Sequence, residues 1–372
     1  MKIIYSVSIN ISSSGSLHEH VKGIINSASK FEDEIIVLAP GSSNPSDFYK
    51  ELNCLKTGPN LAGWFINLLV FDIWVPFYLL WNKTKIKGSL FYYRPHLFTI
   101  FQPLLSRLFR LRTIKEVNGV FEFEVKEFGR GFLSKIVSYI DVLTSKISHK
   151  NVVVTEGIKE YFCNKGVAQE KIIVVPNGVA MNQLNNNFFY VNTDKRLNLV
   201  FIGKLSSWQG IKDFIEFVLP VSSKYKFSID ILGDGEQFNE ISKLIVENKI
   251  DNIKLHGWVD HKTVIEFLAN SDICILPRKW PEKKALGSPL KLFEYMAMGK
   301  PIIATRVDGI INLPLVNEYI DFFDYKDIST LESIFEKYQD REKLIMVGKK
   351  LKKICEVYYT WDNAYLKIKN AV

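Results

Sequence analysis

A chain of 372 residues, 47% hydrophobic and 24% charged, is too long for one compact core and too apolar for disorder, so two folded domains are expected. Its four cysteines (Cys54, Cys163, Cys274, Cys355) are scattered without a CxxC pair, which argues against a zinc site or disulfide framework and suits a reducing cytosol. The net charge of +8 is uneven: no acidic residue occurs from Ile73 to Lys115, a segment holding Lys83, Lys85, Lys87, Arg94, Arg107, Arg110, Arg112 and Lys115, which suits phosphate-bearing partners or a solvated basic surface.

In chain order, MKIIYSVSIN turns polar too soon for a secretory signal peptide and reads as a first strand. The loop NISSSGSLHEH then opens a helix at Gly15 and Ser16, where backbone amides can receive an anion. DEIIVLA is the next strand. The run Gly63 to Trp81 is nearly long enough to span a bilayer, yet Asn67, Asp72 and Pro76 interrupt it. LFTIFQPLLSRLFR places Leu97, Phe101, Leu104, Leu105 and Leu108 on one face beside Arg107 and Arg110, as expected of a helix lying on a membrane surface or packed on a sheet. Peripheral contact is expected rather than a span. SLFYYR, RTIKEV, NVVVTE and KIIVVP supply further strands, alternating with helices such as SKIVSYIDVLTSKIS. That alternation predicts a parallel sheet covered on both faces.

After Pro176-Asn177-Gly178 the polar stretch AMNQLNNNFFYVNTDKRL reads as a linker, and the pattern restarts: LNLVFIG, a helix near Ile211 to Val218, KFSIDILG, EQFNEISKLIVENK, IKLHGW, DICILP, the helix in SPLKLFEYMAMGKPIIAT, and YIDFF. Two α/β, Rossmann-like domains are predicted, residues 1–185 and 186–355, with a cleft between them and ligands at the carboxyl ends of their strands.

Three stretches carry the chemistry. In FIGKLSSWQG, Gly203 ends a strand, Lys204 follows, and Gln209 precedes a helix, which suits a diphosphate cradle. Ser288, Pro289 and Leu290 open the SPLKLFEYM helix with free backbone amides, and Lys291 adds charge. One turn further in, Glu294 sits between Phe293 and Tyr295, placed to hold the vicinal hydroxyls of a ribose. No G-x-G-x-x-G spacing, Asp-x-Asp pair or P-loop occurs, which disfavours nicotinamide chemistry and a metal–diphosphate clamp.

Taken together and in order, VPNGV, FIGKLSSWQG, LGDG, LHGWV, DICILP and SPLKLFEYMAMGKPIIAT closely resemble the family 4 glycosyltransferases of the GT-B fold. The likeness extends to YTWDNAYLKI, which resembles the final helix that returns to the first domain in this fold; residues 356–372 are assigned to it. The resemblance implies sugar transfer from a UDP- or GDP-sugar with retention and no bound metal or other cofactor. It assigns Glu294 to the donor ribose, Lys204 to the diphosphate as a catalytic cation, Gly15 and Ser16 to the phosphate loop, and the backbone near Gly257 and Val259 to the base. Asn118 falls where many members carry a histidine near the reacting sugar.

Two departures stand out. The family's first glutamate, eight positions before Glu294, is Leu286, with Glu282 four residues too early. Gln209 occupies a position commonly filled by lysine. The SPLKLFEYM variant resembles enzymes of bacterial surface-polysaccharide synthesis, which implies a lipid-linked or saccharide acceptor. The acceptor and an anionic membrane are expected on the first domain near Arg94, Arg107, Arg110 and Arg112, peripheral to the cytoplasmic face of the inner membrane. No nucleic-acid partner is expected. A nucleotide-sugar epimerase of the same fold and a non-catalytic nucleotide- or polyanion-binding module are the alternatives.

Overall fold

The computed structural model describes residues 2–9, 16–32, 34–40, 50–54, 61–127, 131–181, 196–279 and 287–371. The chain forms two compact units. Unit 1 comprises Met1–Gly178, Leu286–Ser288 and Trp361–Val372, and unit 2 comprises Val179–Ala285 and Pro289–Thr360. The boundary expected at 185/186 lies outside the described residues.

Unit 1 contains β1 (Lys2–Val7), α1 (Ser16–Phe31), β2 (Glu34–Pro40), β3 (Lys50–Cys54), α2 (Leu61–Trp81), β4 (Leu90–Arg94), α3 (Phe101–Leu108), β5 (Arg112–Val117), α4 (Phe121–Glu127), α5 (Gly131–Ile147), β6 (Lys150–Val153), α6 (Glu156–Asn164) and β7 (Ile172–Val174). The strands form one parallel sheet in the order β3-β2-β1-β4-β5-β6-β7. Because β1 lies between β2 and β4, the order reverses there, and the carboxyl ends of β1 and β4 form a switch point. The short polar edge strand β3 was not expected from the sequence.

Helix α2 resolves the ambiguity of its sequence. Phe71, Val75 and Leu79 pack with Ile4, Ile36, Phe91 and Tyr93, while Ile66, Leu69, Ile73, Phe77 and Leu80 are exposed. Among the described residues no helix is long and apolar enough to cross a membrane. Asp72, 1% exposed, accepts hydrogen bonds from the backbone N–H groups of Ile100 (2.9 Å), Phe101 (3.0 Å) and Gln102 (3.4 Å), and so closes the start of α3. Burial pushes its carboxyl up, and those three donors oppose the shift.

Unit 2 contains β8 (Leu197–Ile202), α7 (Ile211–Val218), β9 (Phe227–Leu232), α8 (Phe238–Glu247), β10 (Ile253–Gly257), α9 (His261–Asn270), β11 (Ile273–Leu276), α10 (Leu290–Ala297), β12 (Ile302–Ala304), α11 (Asp308–Ile311), β13 (Asp321–Phe322), α12 (Ile328–Tyr338) and α13 (Arg341–Tyr358). Its parallel order is β10-β9-β8-β11-β12-β13, so the switch point falls between β8 and β11. Lys300, in the Gly-Lys-Pro that follows α10, donates 2.8 Å bonds to the carbonyls of Ala269 and Ser271 and closes the end of α9.

The last helix, α14 (Trp361–Asn370), belongs to unit 1 and packs on α1. Asp362 accepts from Ser27 (2.7 Å) and Lys30 (2.9 Å), and Glu32 accepts from Tyr365 (2.8 Å) and pairs with Lys369 (2.8 Å). The return thus starts at Trp361 rather than at 356, because α13 runs to Tyr358 as part of unit 2.

Candidate active site

In unit 2, the loop from β8 to α7 and the segment after β11 lie side by side at the switch point. The N–H of Lys279 donates to the Trp208 carbonyl (3.1 Å), and the Tyr325 hydroxyl donates to the carbonyls of Gly210 (3.0 Å) and Pro277 (2.8 Å). Gly210 has φ 72°, and a Cβ there would strike the Pro277 carbonyl. Only glycine satisfies both demands.

Helix α10 feeds its first turn into this place. Pro289 precedes it without a side-chain cap, so its opening amides are not closed by one. Lys291 crosses to the loop: Nζ donates to Gln209 Oε1 (3.2 Å) and stands 4.4 Å from the Phe201 ring centroid. A Cβ on Gly203 would collide with that ammonium, so the glycine makes room for the charge. Burial pushes the pKa of Lys291 well below the usual lysine value, the nearby Arg278 pushes the same way, and Glu294 opposes. Lys204 is exposed at the rim. Glu294 is half-buried between the fully buried Phe293 and Tyr295, and the Tyr295 hydroxyl accepts from the Ile202 N–H at 3.1 Å.

Sequence reasoning passed over Arg278. It is 9% exposed, its guanidinium carbon lies 5.1 Å from the Trp208 ring centroid, and its Nε has no hydrogen-bond partner among the described residues. Burial lowers its pKa to about 10. The available signal was position: a cation two residues past the carboxyl end of β11, beside the switch point.

Of the other donor-side expectations, Gly257 ends β10 with φ 72° and accepts from the Gly233 N–H (2.8 Å). Val259 is half-buried beyond the exposed Trp258. Leu290 opens α10, whereas Ser288 groups with unit 1, where its carbonyl accepts from Asn177 (2.9 Å). Ser16 opens α1, and Gly15, Glu282 and Leu286 lie outside the described residues.

Unit 1 carries a second polar cluster, at its own switch point. Glu116 on β5, 1% exposed, accepts from Tyr5 (2.7 Å) and Arg94 (2.9 Å), and His20 Nε2 lies 2.9 Å away. Burial would raise its pKa, but His20 and Arg94 hold it far below the usual carboxylate range. His20 Nδ1 meets Asn177 Oδ1 at 2.9 Å. Asn118 donates to Glu116 through its amide nitrogen, and its Oδ1 is buried with no partner among the described residues. Neither Glu116 nor His20 stood out in the sequence, because a polar residue's partners lie far away along the chain.

The basic segment is less uniform than its composition suggests. Arg94 is 13% exposed on its side chain and bound to Glu116, so it belongs to this inner cluster rather than to an outward-facing group. Lys115 is fully buried with Asp141, Thr144 and Ser145. Arg107 donates to the Ile147 carbonyl (2.6 Å) at the end of α5. Arg110 (φ 58°) and Arg112 are exposed. No group of three or more metal-ligating side chains occurs among the described residues.

Comparison with known proteins agrees with this geometry. Residues 196–319 match the family model "Glycosyl transferases group 1" and cover most of unit 2. A Klebsiella pneumoniae protein described as an uncharacterized 41.2 kDa protein in the cps region is 24% identical over 215 residues, 51% of this chain and 55% of that one. The N,N'-diacetylbacillosaminyl-diphospho-undecaprenol alpha-1,3-N-acetylgalactosaminyltransferase of Campylobacter jejuni is 23% identical over 207 residues, 52% of each chain. The chain thus spans about half the length of these relatives. Anabaena Alr3699/HepE, solved in complex with UDP and glucose, superposes with a TM-score of 0.67 at 14% identity, covering 100% of this chain and 98% of that one. The fold is GT-B along the whole chain, and residues 196–319 carry the signature of the group 1 glycosyl transferases.

Proposed function

We propose that the protein is a glycosyltransferase that moves a sugar from a UDP- or GDP-sugar to a lipid-linked or saccharide acceptor in bacterial cell-surface polysaccharide synthesis, with retention of configuration. The observation that carries this reading is Lys291: a desolvated ammonium at the start of an uncapped helix, with no carboxylate in ion-pair contact among the described residues. Lys291 is half-buried, and a desolvated cation without a counter-ion costs stability unless an anion completes it. The family match over unit 2 and the UDP-bound structural relative support reading that anion as a nucleoside diphosphate. In this reading Glu294 holds the ribose.

The chemistry asked of the site is mainly electrostatic. As the glycosidic bond breaks, charge grows on the departing diphosphate, and Lys291, Lys204 and the opening amides of α10 are positioned to stabilise it; losing one such preorganised donor typically costs about 2.7–4 kcal/mol of barrier. The reading gives no part of this to a metal. Asn118, whose amide nitrogen donates to Glu116, is read as a residue that takes part at the reacting sugar.

The acceptor half of the proposal rests on exposed apolar side chains of unit 1: Phe77 and Leu80 on α2, Leu104 and Leu108 on α3, and Phe132 and Tyr139 on α5. Together with the exposed Arg110 and Arg112 of the same unit, they suit peripheral contact with an anionic membrane that carries the acceptor. The Campylobacter relative, named for a diphospho-undecaprenol acceptor, supports the same reading.

A thermal-shift panel with UDP, GDP, CMP and NAD on the parent and on Glu294→Ala tests the donor half. Ligand at ~100 times its Kd adds about 2.7 kcal/mol of stability. A shift with UDP or GDP that vanishes in the variant is expected, and no shift with either nucleotide would overturn the reading.

A further inference from the structure

Beside the uncharged Gln209, which meets Lys291 in the loop after β8, the structure holds a buried cation to which the donor reading assigns no role. We infer that Arg278 supplies a second positive charge, gripping the diphosphate of the donor from the far side of the β8–β11 switch point. The inference rests on the donor reading above and deepens it by naming a specificity-determining residue.

Four observations converge. Arg278 is nine-tenths buried, and its Nε lacks a hydrogen-bond partner among the described residues. No carboxylate lies within ion-pair distance of it among those residues; the Trp208 ring, 5.1 Å from the guanidinium carbon, takes that place. A neutral aromatic face steadies a cation without neutralising it, so the full charge remains available to a ligand.

Next, Arg278 adjoins Gln209 by construction. Lys279 N–H donates to the Trp208 carbonyl, and Gly210 is pressed on Pro277. The third observation is electrostatic. Arg278 is close enough to Lys291 to oppose its charge, with Glu294 acting the other way on Lys291, while the nearby Asp213 is already paired with Lys279. Two cations thus share one region without a carboxylate in ion-pair contact with either among the described residues. Like charges kept together against their repulsion mark a place where an anion of more than one charge completes the structure.

The fourth observation concerns rigidity. The Arg278 carbonyl accepts from Thr305 Oγ1 (2.6 Å) at the end of β12, and the Pro277 carbonyl accepts from Tyr325 (2.8 Å). The backbone around Arg278 is therefore fixed from two directions, as a preorganised binding group requires. A guanidinium also offers a planar fork of N–H donors that matches two phosphate oxygens, which a glutamine amide cannot.

The test is isothermal titration of the parent, Arg278→Gln, Arg278→Lys, and Arg278→Gln combined with Gln209→Lys, using UDP, GDP, uridine and guanosine. A charged hydrogen bond of about 1.5–3 kcal/mol corresponds to about 10- to 150-fold in affinity. Arg278→Gln is expected to weaken the preferred nucleoside diphosphate by about that factor and to leave the free nucleoside within about twofold. The double variant, with its cation moved to 209, is expected to regain most of the loss, a response that a purely structural role of Arg278 would not produce. If Arg278→Gln fails to fold, Arg278→Lys replaces it, with a several-fold loss confined to the diphosphate. Equal losses for diphosphate and nucleoside, or unchanged diphosphate affinity, would overturn the assignment. A parent that binds neither UDP nor GDP would overturn the donor reading itself, and the assignment with it.

Discussion

Two places in the molecule, one in each unit, treat charge withdrawn from water in opposite ways. In unit 1, Lys115 is fully enclosed yet saturated: its ammonium donates to the carboxylate and carbonyl of Asp141 and to the hydroxyls of Thr144 and Ser145. Glu116 is likewise enclosed, and Arg94, His20, Tyr5 and Asn118 surround it. In unit 2, Lys291 and Arg278 meet aromatic rings and an amide oxygen instead. A compensated buried charge holds a fold together, whereas an uncompensated one holds a place for something that arrives later.

That contrast can be broken most directly at Lys115. Lys115→Met would strand Asp141 in the core of unit 1 and should destabilise the protein by about 3–5 kcal/mol, the usual penalty for removing one partner of a buried pair. Denaturant unfolding would show it, and nucleotide affinity of the folded fraction should stay unchanged. A loss below 1 kcal/mol would mean that the pair is not the anchor described.

His96 sharpens the contrast from another side, since it escapes burial cost by staying neutral. It is 7% exposed, and burial lowers its pKa from 6.5 to about 4. The unfolded chain therefore binds more protons between those values, so stability falls as pH drops from about 6.5 to 4 and rises again with pH. At about 1.36 kcal/mol per unit, the parent should lose up to about 3 kcal/mol relative to His96→Asn across that window. Parallel unfolding curves for the two proteins at pH 7 and pH 4 would refute it.

Lys291→Met is the mirror experiment to Lys115. Removing an uncompensated cation should leave the stability of the free protein unchanged or raised, while UDP or GDP affinity falls about 10- to 100-fold, or about 1.4–2.8 kcal/mol. A destabilisation matching that of Lys115→Met would erase the distinction between the two sites.

The smallest effect is a proton. Because burial holds the pKa of Lys291 well below that of an ordinary lysine in the free protein, a bound diphosphate should raise it again, so binding takes up protons and weakens as pH rises through the depressed value. Titration calorimetry in buffers of different ionisation enthalpy reads this uptake, which should disappear in Lys291→Met.

Much of this was legible in the sequence. The alternation of β-branched runs and amphipathic helices located twelve of the strands, because a sheet buried on both faces leaves a dense apolar signature. Edge strand β3, KELNC, lacks that signature because an edge needs little burial. At the candidate site, Gly203, Gln209, Lys291 and Glu294 stood out in the sequence and in its resemblance to a known family. Arg278 did not, because in Pro277-Arg278-Lys279-Trp280 it looks like any surface loop cation. A sequence displays a charge and hides its partner. Lys115 and Arg94 therefore counted toward a basic surface, although Asp141 and Glu116 had already claimed them inside the fold.

Asp72 bears on the unfolded chain as well as on the folded one. Within the folded unit it merely closes the start of the next helix. During synthesis, before that helix exists, it is the only acidic group in the apolar run from Gly63 to Trp81. An aspartate at mid-span costs about 2.5–3.5 kcal/mol for insertion into a bilayer. The same carboxylate that fastens two helices together in the fold makes insertion of this run into a bilayer less favourable, and leucine at this position would remove both effects at once.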